Sequence, residues 1–223
     1  MARKEAQTLP TGGRAWQRQQ RIGHILAAAE RVFAEAGFEG ASMSGLAAAA
    51  GLPKANLHYY FGTKEALYTA LLDSILTLWL SATDSIRPEN DPAEALTAYI
   101  RAKMHWSRTR PHASKVFANE VLHGAPYLGS YLAGELRALV QEKSRVLEGW
   151  IAEGRMEPVD PPHLFFAIWA MTQTYADFEA QIRAVLDRPE LTAQDHAQGT
   201  DLVLRLVLKG CGLRFSEGKR LGE

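Results

Sequence analysis

Apolar side chains recur every three or four residues along nearly the whole chain, and this periodicity constrains the fold more than any other feature. In the first regular segment they fall on one stripe of a helix, at Ile22, Ile25, Leu26, Ala29, Val32, Phe33 and Ala36. A strand would alternate apolar and polar residues, and no convincing run of that kind occurs. We therefore predict an all-α protein.

The composition is that of an ordinary globular protein. Of 223 residues, 47% are apolar and 22% are charged, which excludes a disordered tail protein, a collagen-like chain and a disulfide mini-protein. Cys211 is the only cysteine, so a reducing compartment is expected. The first twenty residues lack the apolar core of a secretory signal, and the longest apolar run, near Leu71 to Leu80, is too short to cross a bilayer. We expect a cytoplasmic protein with no membrane partner.

The formal net charge is zero, but the charges are unevenly distributed. Of the 25 basic and 25 acidic residues, eight basic and four acidic ones lie in residues 1–64. The rest of the chain therefore carries a matching excess of acidic residues. This asymmetry predicts that the N-terminal end meets a polyanion while the other end has a different role.

Capping residues and glycines divide the chain into short helices followed by long ones. The first helix is predicted from about Arg18 to Ala36, with Gly37 as its stop, and shorter helices follow Ser42 and start at Lys54. Thr63 caps a longer helix that ends near residue 80. Beyond Pro88 we predict long helices that begin near Pro92, Pro111, Pro126, Asp160 and Thr192 and end near residues 109, 123, 154, 187 and 209. Asp91 is the predicted cap before Pro92, and Thr192 with Asp195 resembles a capping box.

The short helices joined at Gly51 and Leu52 have the ingredients of a helix-turn-helix. At about 100° per residue, Leu57 and Phe61 share the face that anchors the second helix inward. The opposite face carries small, aromatic and hydrogen-bonding side chains, which suit a major groove. Candidate contacts to bases or phosphates are Ser42, Ser44, Lys54, Ala55, Asn56, His58, Tyr59, Tyr60 and Lys64. Tyr60 lies nearer the core face and is partly structural, and the alternative for the whole set is an ordinary surface helix.

The segment from Ala36 to Leu67, AGFEGASMSGLAAAAGLPKANLHYYFGTKEAL, resembles the signature of the TetR family of one-component bacterial transcriptional regulators. The resemblance implies a helix-turn-helix at residues 42–61, a dimer built on the last two helices and a ligand pocket in the C-terminal domain. Pro53 departs from the pattern, because the family often has a serine that caps the recognition helix there. The implied partners are double-stranded operator DNA, a small-molecule effector and a second copy of the chain.

This resemblance also divides the chain into three regions. We expect a basic flexible arm over residues 1–17, a DNA-binding helix-turn-helix domain over 18–62, and a helical ligand-binding and dimerisation domain over 63–223. A narrower resemblance, to the uracil-responsive RutR group of pyrimidine-utilisation regulators, covers residues from about Trp79 to Leu186. It is carried by SRTRPHASKVFANEVLHGAPYL, EKSRVLEGWIAEGRMEPVDPPHL and IWAMTQTYADF. It implies repression or activation governed by a pyrimidine such as uracil or thymine.

The side chains that a pyrimidine needs are present in the last of these segments. A pyrimidine has a flat face and an edge of alternating N–H and C=O groups, so it needs an aromatic platform and a group that both donates and accepts. Trp169 and Gln173 lie four residues apart on one helical face, and glutamine has both functions. We predict ligand contacts from Trp79, Trp169, Gln173, Tyr175 and Asp177. The alternatives are that Phe165, Phe166 and Trp169 only pack in the core of a dimer, or that another planar or aromatic ligand binds.

Trp79 and Lys64 lie fifteen residues apart on the same predicted helix, a separation of about 22 Å at 1.5 Å per residue. A ligand packing on Trp79 would shift this helix and change the spacing of the two recognition helices. That spacing must be about 34–36 Å for entry into successive major grooves. The alternative is that Trp79 only covers the joint between the domains.

Other chemistries have weaker support in the sequence. Glu120 and His123 form one Glu-x-x-His pair, but a di-iron bundle needs two such pairs, and no second one occurs. Cys211 has no C-x-x-C partner, so a buried apolar role is favoured over a redox switch. No nucleophile–base set or nucleotide-binding motif is found, so we expect neither an enzyme nor a cofactor. The remaining competitor is a helical protein-interaction adaptor that ignores DNA.

Overall fold

The computed structural model describes residues 13–214, and every regular element in that range is helical. The prediction of an all-α fold is confirmed, since the described range contains no strand. The described residues form two compact units, one ending at Leu71 and the other beginning at Leu72. Most of the expected arm over residues 1–17 lies outside the described residues, but Arg14 to Gln17 are already helical.

The first unit contains three helices and the start of a fourth. They are α1 (Arg14–Gly40), α2 (Met43–Ala49), α3 (Lys54–Tyr60) and α4 (Lys64–Ser81), which continues into the second unit. α1 begins four residues before the predicted start. Its backbone leaves the helix at Gly37, where φ is 68° and ψ is 178°, a conformation that side chains with a Cβ rarely adopt. The predicted stop is therefore a kink, followed by one further turn.

Side-chain caps fix the starts of α2 and α4 as the sequence predicted. Ser42 Oγ accepts a hydrogen bond from the backbone N–H of Gly45, and Thr63 Oγ1 accepts one from that of Ala66, both at 3.1 Å. Aromatic packing joins α1 to α4. The ring of Tyr68 on α4 lies 4.8 Å from that of Phe33 and 4.9 Å from that of Phe38, measured between centroids. These contacts fix α4 against the kinked end of α1.

The second unit is built from long helices around α5. The described elements are a 3₁₀ turn (Ala82–Ser85), α5 (Pro92–Thr109), α6 (Pro111–Leu122), α7 (Gly129–Tyr131), a π-helical turn (Leu132–Leu136), α8 (Arg137–Ala152), α9 (Pro161–Asp177), α10 (Glu179–Leu186) and α11 (Ala193–Gly210). α5 packs against α9 and α11, and its buried residues recur at helical spacing: Ala95, Leu96, Tyr99, Ile100, Lys103, Met104 and Ser107. The capping box predicted at Thr192 and Asp195 is present at the start of α11.

The long helix predicted from Pro126 to Gly154 is present from Gly129 to Ala152, and it runs without a break through the π-helical turn into α8. Glu120 explains the late start. Its carboxylate accepts hydrogen bonds from the backbone N–H groups of Tyr127 and Leu128 at 2.6 and 3.1 Å. Those bonds hold the preceding residues in a loop, which a local sequence pattern does not reveal.

The helix predicted from Asp160 to Asp187 is interrupted. At Phe178 the backbone leaves helical geometry, with φ −112° and ψ 27°, and this break separates α9 from α10. α10 ends at Asp187, which is left-handed with φ 51°. The short α10 exposes the apolar side chains of Val185 and Leu186.

The helical stretch from Lys64 to Ser85 is long and apolar enough to span a membrane by length and composition alone. This corrects the expectation that the run is too short. However, 44% of its apolar window is buried inside the protein, and Leu72 and Ile75 are fully buried. A core helix of a globular protein has the same composition, so the stretch is weak evidence for a membrane span.

Candidate nucleic-acid interface and ligand cavity

The second helix of the helix-turn-helix, α3, has one buried and one exposed face. Leu57 is fully buried and Phe61, just after the helix, is 9% exposed, so the predicted inward anchor is confirmed. Tyr59 on the opposite face is 77% exposed, and the other exposed residues there are Lys54, Ala55, Asn56 and His58. α3 therefore presents amide, imidazole, phenol and methyl groups of the kind that contact base edges and phosphates.

Tyr60 is half-buried and connects α3 to α1. Its ring packs edge-on against Tyr59 with centroids 5.3 Å apart, and the guanidinium carbon of Arg18 lies 6.0 Å from its centroid. The partly structural role expected for Tyr60 agrees with these contacts. His58 Nδ1 lies 2.9 Å from the carbonyl oxygen of Gly62, so one of its ring nitrogens is engaged within the unit.

The starts of α2 and α3 hold the other groups expected to meet phosphates. Ser42 and Ser44 are exposed, although the hydroxyl oxygen of Ser42 already caps α2. Pro53 occupies the cap position of α3 and supplies no side-chain hydrogen bond there. Lys54 is exposed on the first turn of that helix, where a positive charge adds to the attraction for a phosphate.

Lys64 has a role that the sequence did not predict. Its Nζ donates hydrogen bonds to the carbonyl oxygens of Phe38 at 2.8 Å and Ala41 at 3.1 Å, and lies 4.2 Å from the centroid of the Phe38 ring. Two of its three N–H donors therefore hold the connection between α1 and α2. The expectation of an ammonium group pointing openly toward DNA is corrected, and a phosphate contact stays a prediction for its remaining donor.

A cavity of about 390 Å³ lies among the helices of the second unit. Trp79, Trp169 and Gln173 line it together, so three of the five residues predicted to bind a ligand meet at one place. Much of the remaining wall is apolar and includes Leu76, Leu80, Phe117, Leu132, Leu136 and Leu139. A concave, mostly apolar site with a few polar groups is typical of small-molecule binding.

The indoles on the cavity wall are held in fixed orientations. Trp169 Nε1 donates a hydrogen bond to the hydroxyl of Tyr99 at 2.7 Å, and Trp79 packs edge-on against Phe117 with centroids 4.7 Å apart. Burial raises the pKa of Tyr99 to about 12, so its hydroxyl stays protonated at neutral pH. Because the N–H of Trp169 is engaged in the protein, its ring face is the part suited to contact a ligand.

Lys103 places a cation in this mostly apolar cavity. It is 6% exposed, and its Nζ lies 4.5 Å from the centroid of the Trp79 ring. Burial lowers the pKa of Lys103 to about 8, an effect that the charge of Asp177 opposes, so the group is mostly protonated at pH 7. An ammonium group with three N–H donors therefore lies beside the aromatic platform.

Tyr175, also predicted to bind the ligand, does not line the cavity. It faces α11 instead, where a Cβ atom built on Gly199 would lie 2.3 Å from the Tyr175 hydroxyl oxygen. The Tyr175 ring also lies 5.9 Å from that of His196. The close approach of α9 and α11 at Gly199 thus accommodates Tyr175, and this prediction is corrected.

Asp177 does not line the cavity either, but it acts on a residue that does. Its carboxyl group is largely buried, and burial raises its pKa against the opposing effects of Ser114, Lys103 and Lys115. Its influence on the cavity is therefore electrostatic, through the charge on Lys103. The sequence placed Asp177 on the correct helix but did not reveal this partner.

Sequence patterns missed Tyr99 and Lys103, although one signal was present. Both lie on the buried stripe of α5, and a lysine at a core position of a central helix is unusual. Thr83 and Tyr131, which also line the cavity, belong to the 3₁₀ turn and to α7. Neither position has a periodic pattern that would have marked it.

The last helices carry an exposed apolar face. Its members, which we call the α10–α11 face, are Phe178, Val185, Leu186, Leu202 and Leu206, with exposures between 43% and 79%. Three of them, Val185, Leu186 and Leu202, line a groove of about 480 Å³. Exposed apolar side chains that share a groove, as these three do, are typical of interaction surfaces.

The geometry of the described residues does not support a metal site or a redox-active thiol. Within residues 13–214, no three His, Cys, Asp or Glu side chains are grouped so as to hold a metal ion. Glu120 caps a loop, and His123 Nδ1 lies 2.7 Å from the carbonyl oxygen of Asn119. Cys211 is 1% exposed, and burial raises its pKa to about 11, as in an inert structural thiol.

Two family profiles match consecutive parts of the chain. The profile described as "Bacterial regulatory proteins, tetR family" matches residues 25–71. The profile described as "YcdC-like protein, C-terminal region" matches residues 72–214. The matched regions meet at the boundary between the two compact units.

Curated proteins and solved structures agree with these matches. The HTH-type transcriptional regulator RutR of Escherichia coli K12 is 43% identical over 186 residues, covering 83% of this chain and 88% of that protein. The HTH-type transcriptional repressor NicS of Pseudomonas putida KT2440 is 31% identical over 150 residues, 67% of this chain and 70% of that protein. The TetR-family regulator PfmR of Thermus thermophilus has a similar fold, with a TM-score of 0.64 and 23% identity, and the match covers 81% of this chain and 97% of PfmR. AibR in complex with isovaleryl coenzyme A and operator DNA is also similar, with a TM-score of 0.58 and 23% identity, and the match covers 83% of this chain and 97% of AibR.

Proposed function

Because the chain belongs to the TetR family of bacterial transcriptional regulators, we propose that it is a cytoplasmic homodimer that represses transcription until a pyrimidine such as uracil or thymine binds. TetR-family regulators bind operator DNA and small-molecule effectors, typically as dimers. The relatives are regulators, and this chain is a regulator rather than an enzyme. The observation that carries the effector proposal is the meeting of Trp79, Trp169 and Gln173 on one cavity.

On the DNA side, α3 enters a major groove of a palindromic operator. Asn56 pairs with an adenine edge and the methyl group of Ala55 contacts a thymine methyl. Tyr59 and His58 reach bases or phosphates, while Ser42, Ser44 and Lys54 bind the backbone. The exposure of the α3 face supports these roles.

In the cavity, a pyrimidine ring lies against indole faces and its polar edge meets Gln173. The amide of Gln173 both donates and accepts, which matches adjacent C=O and N–H groups on the ring. Lys103 supplies N–H donors to a second carbonyl oxygen of the effector, so the ligand brings the acceptor that a buried ammonium group needs. A cavity of about 390 Å³ leaves room for larger planar molecules, and such a ligand is the alternative within the same function.

Coupling between effector and operator runs through α4, which contributes Lys64 to the first unit and Trp79 to the cavity. The α10–α11 face pairs two copies, so that two recognition helices engage successive major grooves. An effector that changes their spacing weakens operator binding. Linkage requires that the operator weakens effector binding by the same factor.

Binding to a duplex from the protein's own promoter region, measured by fluorescence anisotropy, tests the proposal. We expect uracil or thymine to weaken binding by about 5- to 150-fold, the range that couplings of 1–3 kcal/mol produce. Adenine serves as a planar control that presents a different polar edge. If no pyrimidine changes the affinity, the effector proposal is wrong while the family assignment stands.

A substitution of Gln173 tests whether its amide group binds the effector. Gln173→Met keeps the side-chain length but removes both hydrogen-bonding functions, so uracil affinity measured by calorimetry should fall by about 10- to 100-fold. Operator affinity without uracil should not change. Gln141→Met, at an exposed position on α8, is the matched control, and an equal loss in both variants would contradict the assignment of Gln173.

The competing adaptor function makes a different prediction about salt. Operator binding through several phosphates falls steeply as salt rises, with a slope of about −0.9 per phosphate contact in a plot of log K against log salt concentration. A protein-binding adaptor would ignore the duplex at every salt concentration. Failure to bind any promoter duplex at low salt would favour the adaptor.

A further inference from the structure

Three arginines on the first turns of α1 lie outside the part of the chain that the family profile matches. Arg14, Arg18 and Arg21 are exposed, and the profile begins only at residue 25. At about 100° per residue, their spacing of four and then three residues places them within about 60° of the helix circumference. They form one surface, which we call the arginine stripe.

The charge of the arginine stripe is not balanced along α1. The first acidic residue of this helix is Glu30, which is buried and more than two turns beyond Arg21. Positive side chains at the start of a helix also oppose the helix dipole. The arrangement therefore does not stabilise α1, and its charge is suited to an anionic partner.

The arginine stripe is joined to the exposed face of α3 by direct contacts. The Arg18 guanidinium carbon lies 6.0 Å from the centroid of Tyr60, whose ring lies 5.3 Å from that of the exposed Tyr59. All of these residues belong to the first compact unit. A duplex contacting Tyr59 would therefore have its backbone near the stripe.

We propose that the arginine stripe binds the phosphate backbone of the operator beside the major groove that α3 enters, and this proposal rests on the proposed DNA-binding function. Arg14 and Arg21 are separated by about 10 Å at 1.5 Å per residue, close to the rise of three phosphates at about 3.4 Å each. Guanidinium groups bind phosphates through two parallel hydrogen bonds. Such contacts add affinity without reading sequence.

The test compares variants of the full chain on an operator duplex and on a duplex of unrelated sequence, over a range of salt concentrations. The double variant R14Q/R21Q keeps Arg18 and its contact with Tyr60, so α3 keeps its support. We expect it to bind both duplexes at least tenfold more weakly, with an unchanged ratio between them. The salt slope should fall by roughly 2 to 4 for a dimer, because each phosphate that is no longer neutralised removes about 0.9 from the slope.

The control R101Q/R145Q removes the same charge at exposed positions of α5 and α8. The proposal predicts wild-type binding for this control. It is overturned if R14Q/R21Q keeps the wild-type salt slope, if the control weakens binding as much, or if only operator binding falls. Failure of the wild-type protein to bind any duplex would instead count against the proposed function itself.

Discussion

At the scale of single residues, Lys103 has a cost in stability beside its proposed role in effector binding. Its ammonium group is almost completely buried beside Trp79. Because its folded pKa of about 8 lies below the usual value of 10.5, the unfolded chain binds more protons between these two pH values. The free energy of unfolding should therefore rise as pH increases through this window, and the cost should be fully present at lower pH.

Replacing Lys103 tests this balance. Lys103→Met should raise the free energy of unfolding at pH 7 by about 1–3 kcal/mol, because each pKa unit corresponds to about 1.4 kcal/mol. It should also remove the pH dependence between 8 and 10.5 and weaken effector binding. Urea unfolding at several pH values measures the stability, with the exposed Lys209→Met as control. An unstable Lys103→Met protein would show that the ammonium group is an essential structural contact.

Sequence patterns could locate residues of the cavity but not all of their contacts. Trp169 and Gln173 were found because spacing along one helix fixes which side chains share a face. Tyr175 could not be placed, since its direction depends on the close approach of Gly199 on another helix. Lys103 was missed because its environment depends on packing between helices distant in sequence.

At the scale of elements, the exposed face of α3 is the proposed DNA contact, whereas Lys64 at the start of α4 bonds within the first unit. Tyr59 is 77% exposed, whereas Lys64 bonds to two carbonyl oxygens before α2. Tyr59→Ala should therefore weaken operator binding without changing thermal stability. Lys64→Ala should lower the free energy of unfolding by about 1–3 kcal/mol, because carbonyl groups lose a charged donor. Thermal unfolding and anisotropy on both variants measure this, and equal melting temperatures would contradict the anchoring role.

Helix starts were predictable where the cause is local. Ser42, Thr63, Asp91, Asp160 and Thr192 were all identified from sequence and all precede helices in the structure. The ends of helices and the breaks within them were harder to predict. The loop held by Glu120 and the break at Phe178 arise from contacts and backbone geometry that short-range periodicity does not encode.

At the scale of the whole molecule, the proposed dimer contact on the α10–α11 face can be tested by a single substitution. Leu206 is 54% exposed on α11, and an acidic side chain there would bury a charge in any apolar interface. Leu206→Glu should give a monomer by light scattering and lose most operator affinity while still binding uracil. Gln194→Glu, at an exposed position near the start of α11, is the control. A dimeric Leu206→Glu protein would exclude this face as the contact.

The sheltered thiol of Cys211 has a practical consequence for spectroscopy. Since it is 1% exposed and its pKa is about 11, native protein should not react with Ellman's reagent at mildly alkaline pH, whereas unfolded chains should release one equivalent. A cysteine introduced at Glu35, an exposed position on α1, would then carry a spin label without background labelling. In a dimer, the distance between the two spin labels would then report how far the two DNA-binding units move apart or together when the effector binds.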